Sequence, residues 1–238
     1  MEPQTGNSPQ PVVDAAFDIV ALAASAGGLT ALSRVLAALP DGFPATLVVV
    51  QHLDPRHRSL MADILSRRTP LRVKQAEEGE RVGPATVYIA PPNRHLLVNP
   101  DGTLSLTQSK LVHFLRPSAD LLFESVAASY GHRAIAVVLT GTGSDGAMGV
   151  QAIKKMGGTV IAQDEATAEF FGMPGAAIRS GSVDFVLPLD EIATALVTLV
   201  MIRRGGMSTP SDEPRSTQEF EALVEYLKNP PWLRLFRL

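Results

Sequence analysis

Three side chains of complementary chemistry stand at the ends of apolar runs in this sequence of 238 residues. Ser25 follows FDIVALAA (17–24), and His52 follows TLVVVQ (46–51). Asp145 lies in the Gly-rich stretch TGTGSDG (140–146) that follows AIAVVL (134–139). A serine between a strand and a glycine-led helix is how a nucleophile is presented, with its hydroxyl exposed and backbone N–H groups beside it. Such N–H groups at a helix start can stabilise an oxyanion. A histidine can take the serine proton, and a carboxylate can hold the imidazole tautomer and stabilise the imidazolium.

Each residue also has an ordinary use. Ser25 and Asp145 fit helix N-caps, and His52 fits a hydrogen-bonded residue at a strand end. His95, after YIAPPNR, and Asp164, after TVIAQ, stand at similar places and compete for the base and acid roles. His57, His113 and His132 read as surface residues of loops or helix starts. The G-x-S-x-G elbow is met only approximately, because Ala23 occupies the first glycine position, and the order Ser…His…Asp differs from the familiar triad orders. A rival chemistry shares the same residues. Gly141 to Gly146 spells G-x-G-x-x-G after a strand, with Asp164 at the end of the next strand, which satisfies a dinucleotide fingerprint. Asp145 argues against it, since its carboxylate would sit inside the turn that must accept a pyrophosphate. The motif also lies past the midpoint of the chain, not in the first strand–helix–strand unit.

The elements that must position these residues alternate along the chain. Short apolar runs at 17–24, 46–51, 85–90, 134–139, 159–163 and 184–188 predict strands. Helices are expected after the Gly27-Gly28 pair, ended by Pro40, and over 59–68, 118–130, Asp145 to Met156, and 191–204. HLLVNPDGTLSLTQ (95–108) predicts a hairpin turning on Asn99-Pro100-Asp101-Gly102. The fold class is therefore α/β: a doubly wound, mostly parallel sheet with helices on both faces and an antiparallel hairpin at one edge. In such a sheet ligands bind outside the carboxyl ends of the strands, which is where Ser25, His52 and Asp145 fall. Residues 1–16 read as a flexible leader, 17–204 as the α/β domain, 205–216 as a linker, and 217–238 as a helical tail with Phe220, Leu223, Val224 and Leu227 at helical spacing.

Composition narrows the function. Hydrophobic residues are 45% and charged residues 19%, enough for a sizeable core. Lys+Arg is 21 against Asp+Glu 24, a net charge of −3, which argues against a general nucleic-acid binder and a polybasic membrane anchor. The chain has no cysteine, so disulfides, thiolate metal sites and a cysteine nucleophile are excluded. No apolar run reaches the roughly 18 residues of a spanning helix, and the opening MEPQTGNSPQPVVDAA is not a signal peptide. The expectation is a soluble, cytoplasmic chain with no cofactor and no metal.

Seven collinear stretches carry a family likeness: ALAASAGGLTAL (21–32), VVVQHLDP (48–55), VYIAPPNRHLLV (87–98), FLRPSADLLFESVA (114–127), VVLTGTGSDGAMGVQAIKKMGG (137–158), VIAQDEATAEFFGMPGAAI (160–178) and VDFVLPLDEIA (183–193). The chain resembles the catalytic domain of the chemotaxis protein-glutamate methylesterases of the CheB type. The resemblance implies hydrolysis of γ-glutamyl methyl esters on the cytoplasmic helices of chemoreceptors, with release of methanol, and deamidation of receptor glutamines as a second activity. It assigns Ser25 as nucleophile, His52 as base and Asp145 as third member of a triad, with the Ala26 and Thr142 backbone N–H groups forming the oxyanion hole.

Two positions depart from the family pattern: Ala23 stands where glycine is usual, and Thr142 stands where methionine is usual. A backbone donor survives the second change, so activity is expected to persist. Family members are commonly preceded by a receiver domain, which sixteen residues cannot form. A stand-alone esterase or a piece of a longer parent are both consistent, and QEFEALVEYLK resembles the opening helix of a receptor methyltransferase fused after such esterases. The competing function is a signalling module of the same fold that has lost catalysis. A dinucleotide-binding oxidoreductase is the distant third.

Overall fold

The computed structural model describes residues 18–52 and 59–205. The apolar runs become strands because residues that are buried on both faces of a sheet need no polar alternation. In chain order the first half holds β1 (Ile19–Ala24), α1 (Gly28–Ala37), β2 (Thr46–Gln51), α2 (Met61–Ser66), β3 (Arg72–Gln75) and β4 (Thr86–Ile89). Next come β5 (His95–Val98), β6 (Leu104–Thr107), α3 (Ala119–Tyr130) and β7 (Ala134–Val138). The last part holds α4 (Gly149–Lys155), β8 (Thr159–Gln163), α5 (Gly172–Arg179), β9 (Phe185–Leu187) and α6 (Leu189–Gly205).

Seven strands form one parallel sheet in the order β3-β4-β2-β1-β7-β8-β9. Every residue of β1, β2, β7 and β8 is buried. One face packs against α1, α2 and α6 through residues such as Leu32, Leu65 and Leu196. The other packs against α3, α4, α5 and the hairpin through Phe123, Ile153, Met173 and Leu104. The helix after β1 and the helix after β7 thus leave neighbouring strands toward opposite faces. Their loops diverge there and open a crevice at the carboxyl end of the sheet.

The expected hairpin is present, pairing His95 with Thr107 through Val98 with Leu104, and its turn closes with Gly102 N–H donating to the Asn99 carbonyl at 2.9 Å. It forms a two-stranded sheet of its own over α3, and the edges of the main sheet are β3 and β9. The helix expected from Asp145 begins instead at Gly149. Residues 145–148 form turns in which the Gly146 and Met148 N–H groups donate to the side chain of Asp120 on α3 and the Ala147 N–H donates to the Ser144 carbonyl, in place of i→i−4 partners. Two elements were not anticipated. The edge strand β3 is half-exposed and carries Arg72, Lys74 and Gln75, so it lacks an apolar signature. Helix α5 contains Gly172, Pro174 and Gly175, which read as breakers; Pro174 sits in the first turn, where a missing N–H costs nothing.

The leader (1–16), the linker beyond Gly205, the helix expected over 218–228 and His57 lie outside the described residues. Among the described residues, no helix is long and apolar enough to cross a membrane.

Candidate active site

The site is assembled from three neighbouring strand ends. β1 and β2 end together on the pair Ala24 and Gln51, so Ser25 and His52 are the first residues beyond adjacent strands. His52 N–H donates to the Ala24 carbonyl at 3.1 Å, and Ser25 N–H donates to the Thr140 carbonyl, just beyond β7, at 3.0 Å. Ser25 is half-buried and lies just beyond the carboxyl end of β1. It is not the cap of α1. That place belongs to Gly27, whose φ of 75° is left-handed and whose missing side chain leaves room for Glu169. Chain direction therefore reverses sharply straight after the serine.

His52 meets Asp145. The imidazole Nε2 lies 2.8 Å from Asp145 Oδ2, with the histidine side chain 10% exposed and the aspartate 1%. Nor does Asp145 cap its own helix. Its carboxylate is seated on the start of α3, where Ala119 N–H donates to Oδ2 at 2.6 Å and Asp120 N–H to Oδ1 at 3.1 Å. The Ser118 hydroxyl adds a further bond to Oδ1 at 2.9 Å. Burial alone pushes this carboxyl up. The hydrogen bonds from His52, Ala119 and Asp120, and the attraction of the imidazolium, outweigh it and hold the pKa below the ordinary aspartate value. Asp145 is thus an anion, which fixes hydrogen on Nε2 of the neutral imidazole and leaves a lone pair on Nδ1.

The surrounding loops are fixed by residues that sequence reading passed over. Gln51, the last residue of β2, donates from Nε2 to the Ser25 carbonyl at 2.6 Å. Thr140 donates its hydroxyl to the Ala26 carbonyl at 3.0 Å and accepts from Phe170 N–H at 2.9 Å. Its own N–H is taken by the fully buried Gln163 at 2.8 Å. A polar glutamine closing each of two apolar strands, and a serine ahead of the α3 pattern, were the available signals. Ala26 N–H and Thr142 N–H donate to no other described residue, and Thr142 is exposed.

The competitors sit elsewhere in function. His95 is fully buried with Nε2 3.2 Å from the Lys110 carbonyl. Asp164 accepts from the N–H and hydroxyl of Thr167, a local turn after β8. His113 lies 3.6 Å from Asp120 and is half-exposed. His132 sits in a short helical turn between α3 and β7.

Fold and cluster together define a doubly wound α/β protein with a serine, a histidine and a buried aspartate at the carboxyl ends of its central strands. The family model described as CheB methylesterase matches residues 20–196, and the chain belongs to that family. It is 44% identical over 184 residues to the protein-glutamate methylesterase FrzG of Myxococcus xanthus, covering 77% of this chain and 55% of that protein. It is 41% identical over 183 residues to a putative protein-glutamate methylesterase/protein-glutamine glutaminase of Leptospira interrogans, covering 77% of this chain and 95% of the relative. Among solved structures it is similar to the CheB methylesterase catalytic domain of Thermotoga maritima, at 41% identity and a TM-score of 0.75, over 77% of this chain and 99% of that one. The chain thus spans about half of the first of these relatives and nearly all of the second.

Proposed function

We propose that this chain is a serine hydrolase that removes methyl esters from glutamyl side chains of chemoreceptors, with Ser25, His52 and Asp145 as its triad. The observation that carries the reading is the 2.8 Å contact of His52 with the ionised, buried Asp145, on the strand next to the one that presents Ser25. Ser25 Oγ attacks the ester carbonyl while His52 Nδ1 takes its proton. The oxygen of the tetrahedral intermediate accepts from the N–H groups of Ala26 and Thr142. Collapse breaks the bond to methoxide, which leaves as methanol with the proton from His52. Water then attacks the glutamyl–Ser25 ester with His52 as base, releasing the glutamate carboxylate and restoring the serine. A glutamine side chain would follow the same path with ammonia as leaving group, which accounts for deamidation by the same residues. The partner in this reading is the methylated cytoplasmic helices of a chemoreceptor.

Methanol release from a methylated receptor fragment tests the assignment. The intact chain should release methanol, and Ser25→Ala should lower the rate by about 10³-fold or more. Equal release by both proteins would overturn it. A fluorophosphonate probe gives the same answer without a receptor: an intact triad labels at Ser25, and a degenerate module does not.

A further inference from the structure

We infer that Asp120 is a positioning residue for this reaction, locking the loop that carries Asp145 so that its carboxylate meets His52. The inference rests on the triad reading given above. Asp120 stands in the first turn of α3 and is 3% exposed. Its Oδ1 accepts three backbone N–H groups from the start of α4 and the turn before it: Gly146 at 2.9 Å, Met148 at 3.0 Å and Gly149 at 2.8 Å. In return, the N–H of Asp120 donates to Asp145 Oδ1 at 3.1 Å.

The two carboxylates are thus exchanged between two helix starts. Asp145 leaves its own loop to bind the α3 terminus, while Asp120 leaves α3 to bind the loop and terminus of α4. Neither carboxylate can shift without breaking the other's set. A hydrogen-bond set built this way holds Asp145 at its carboxylate and at the backbone that follows it, which ordinary capping of one helix would not do. The second oxygen of Asp120 accepts no hydrogen bond from a described residue and faces His113 Nε2 at 3.6 Å. Among the described residues its hydrogen bonds run to Asp145 and to the backbone after it, and none runs to Ser25 or His52, so it acts through Asp145. Burial, and the negative charge of Asp145 beside it, also push the Asp120 carboxyl above its ordinary range.

Kinetics and histidine NMR on the full chain test the inference. Asp120→Ala removes all three acceptor bonds and should lower kcat about 10- to 100-fold with KM within about twofold, as expected when a catalytic group is misplaced without loss of substrate binding. Asp120→Asn keeps an acceptor oxygen and should stay within about threefold of the parent. Asp120→Ser reaches at most one of the N–H groups and should fall between them, so the ordering remains testable if the alanine variant fails to fold. The low-field proton on His52 Nε2, identified by ¹⁵N-histidine labelling, should be present in the parent and the asparagine variant and lost in the alanine variant. A folded alanine or serine variant with parental kcat, or with that proton retained, would overturn the inference. Methanol release independent of Ser25 would instead overturn the triad reading, and the proton signal would still decide whether Asp120 holds Asp145.

Discussion

His95 is an imidazole sealed inside the protein beside the site, and its burial has a consequence for stability. It is fully buried, and its bond to the Lys110 carbonyl places the hydrogen on Nε2. Burial pushes its pKa below the ordinary 6.5, and the Arg116 charge acts the same way. The Lys110 bond and the Asp145 charge pull in the opposite direction without prevailing. In the unfolded chain His95 binds a proton near pH 6.5, whereas in the fold it binds one only at lower pH. Its contribution to stability is therefore complete above about pH 6.5 and is lost as pH falls through the lower folded value. The denaturation free energy should decline below pH 6.5 with a slope of up to about 1.4 kcal/mol per pH unit from this one residue. His95→Gln keeps a donor for Lys110 but cannot titrate, so it should flatten that slope. Urea titrations of both proteins between pH 7.5 and 5.5 would measure it, and parallel curves would refute the assignment.

On the proposed triad, helix α4 bears on the chemistry as the strands do, because its start is where the loop of Asp145 is held. A side chain at Gly149 would meet Phe123 Cβ at 2.6 Å, the Asp120 carbonyl at 2.9 Å and Asp120 Cα at 3.0 Å. Two of these are backbone atoms of α3, which cannot step aside alone. Gly149→Ala should therefore push α4 away from α3, costing about 1–3 kcal/mol of stability, and should lower kcat by at least about tenfold in the protein that remains folded. Thermal unfolding together with methanol release at low temperature would separate the two effects; full activity would show that the helix contact does not govern the site.

This is also the level at which the sequence stops being readable. Strands buried on both faces announce themselves as unbroken apolar runs, and their ends mark Ser25 and His52. The partner of Asp145 does not announce itself, because the seat of its carboxylate is built by Ser118, Ala119 and Asp120 on another helix. No local pattern links those residues. The same gap explains the late start of α4: Asp120 accepts the N–H groups of Gly146, Met148 and Gly149, so that the chain can delay its helix. β3 escaped notice because an edge strand with one solvated side carries charge, and α5 because its glycines and proline resemble a loop.

For the whole molecule, one sheet separates two cores, and the site draws on them unequally. Leu196 of α6 and Leu122 of α3 are both fully buried, on opposite faces of the sheet. Truncating either to alanine should cost about 2–5 kcal/mol, since each leaves a cavity that the sheet cannot close. The sheet lies between them and they share no partner, so the double variant should lose the sum within about 0.5 kcal/mol. Their effects on chemistry should differ. α3 supplies the N–H groups that hold Asp145, so Leu122→Ala should also lower kcat several-fold as that helix settles into the cavity. α6 packs on α1 and the sheet without touching His52 or Asp145, so Leu196→Ala should leave kcat at the parental value. Denaturant titration and methanol release on the two single variants and the double would test both halves of the argument. Equal losses of kcat from the two faces would mean that the site depends on the packing of the whole sheet and not on the α3–α4 layer.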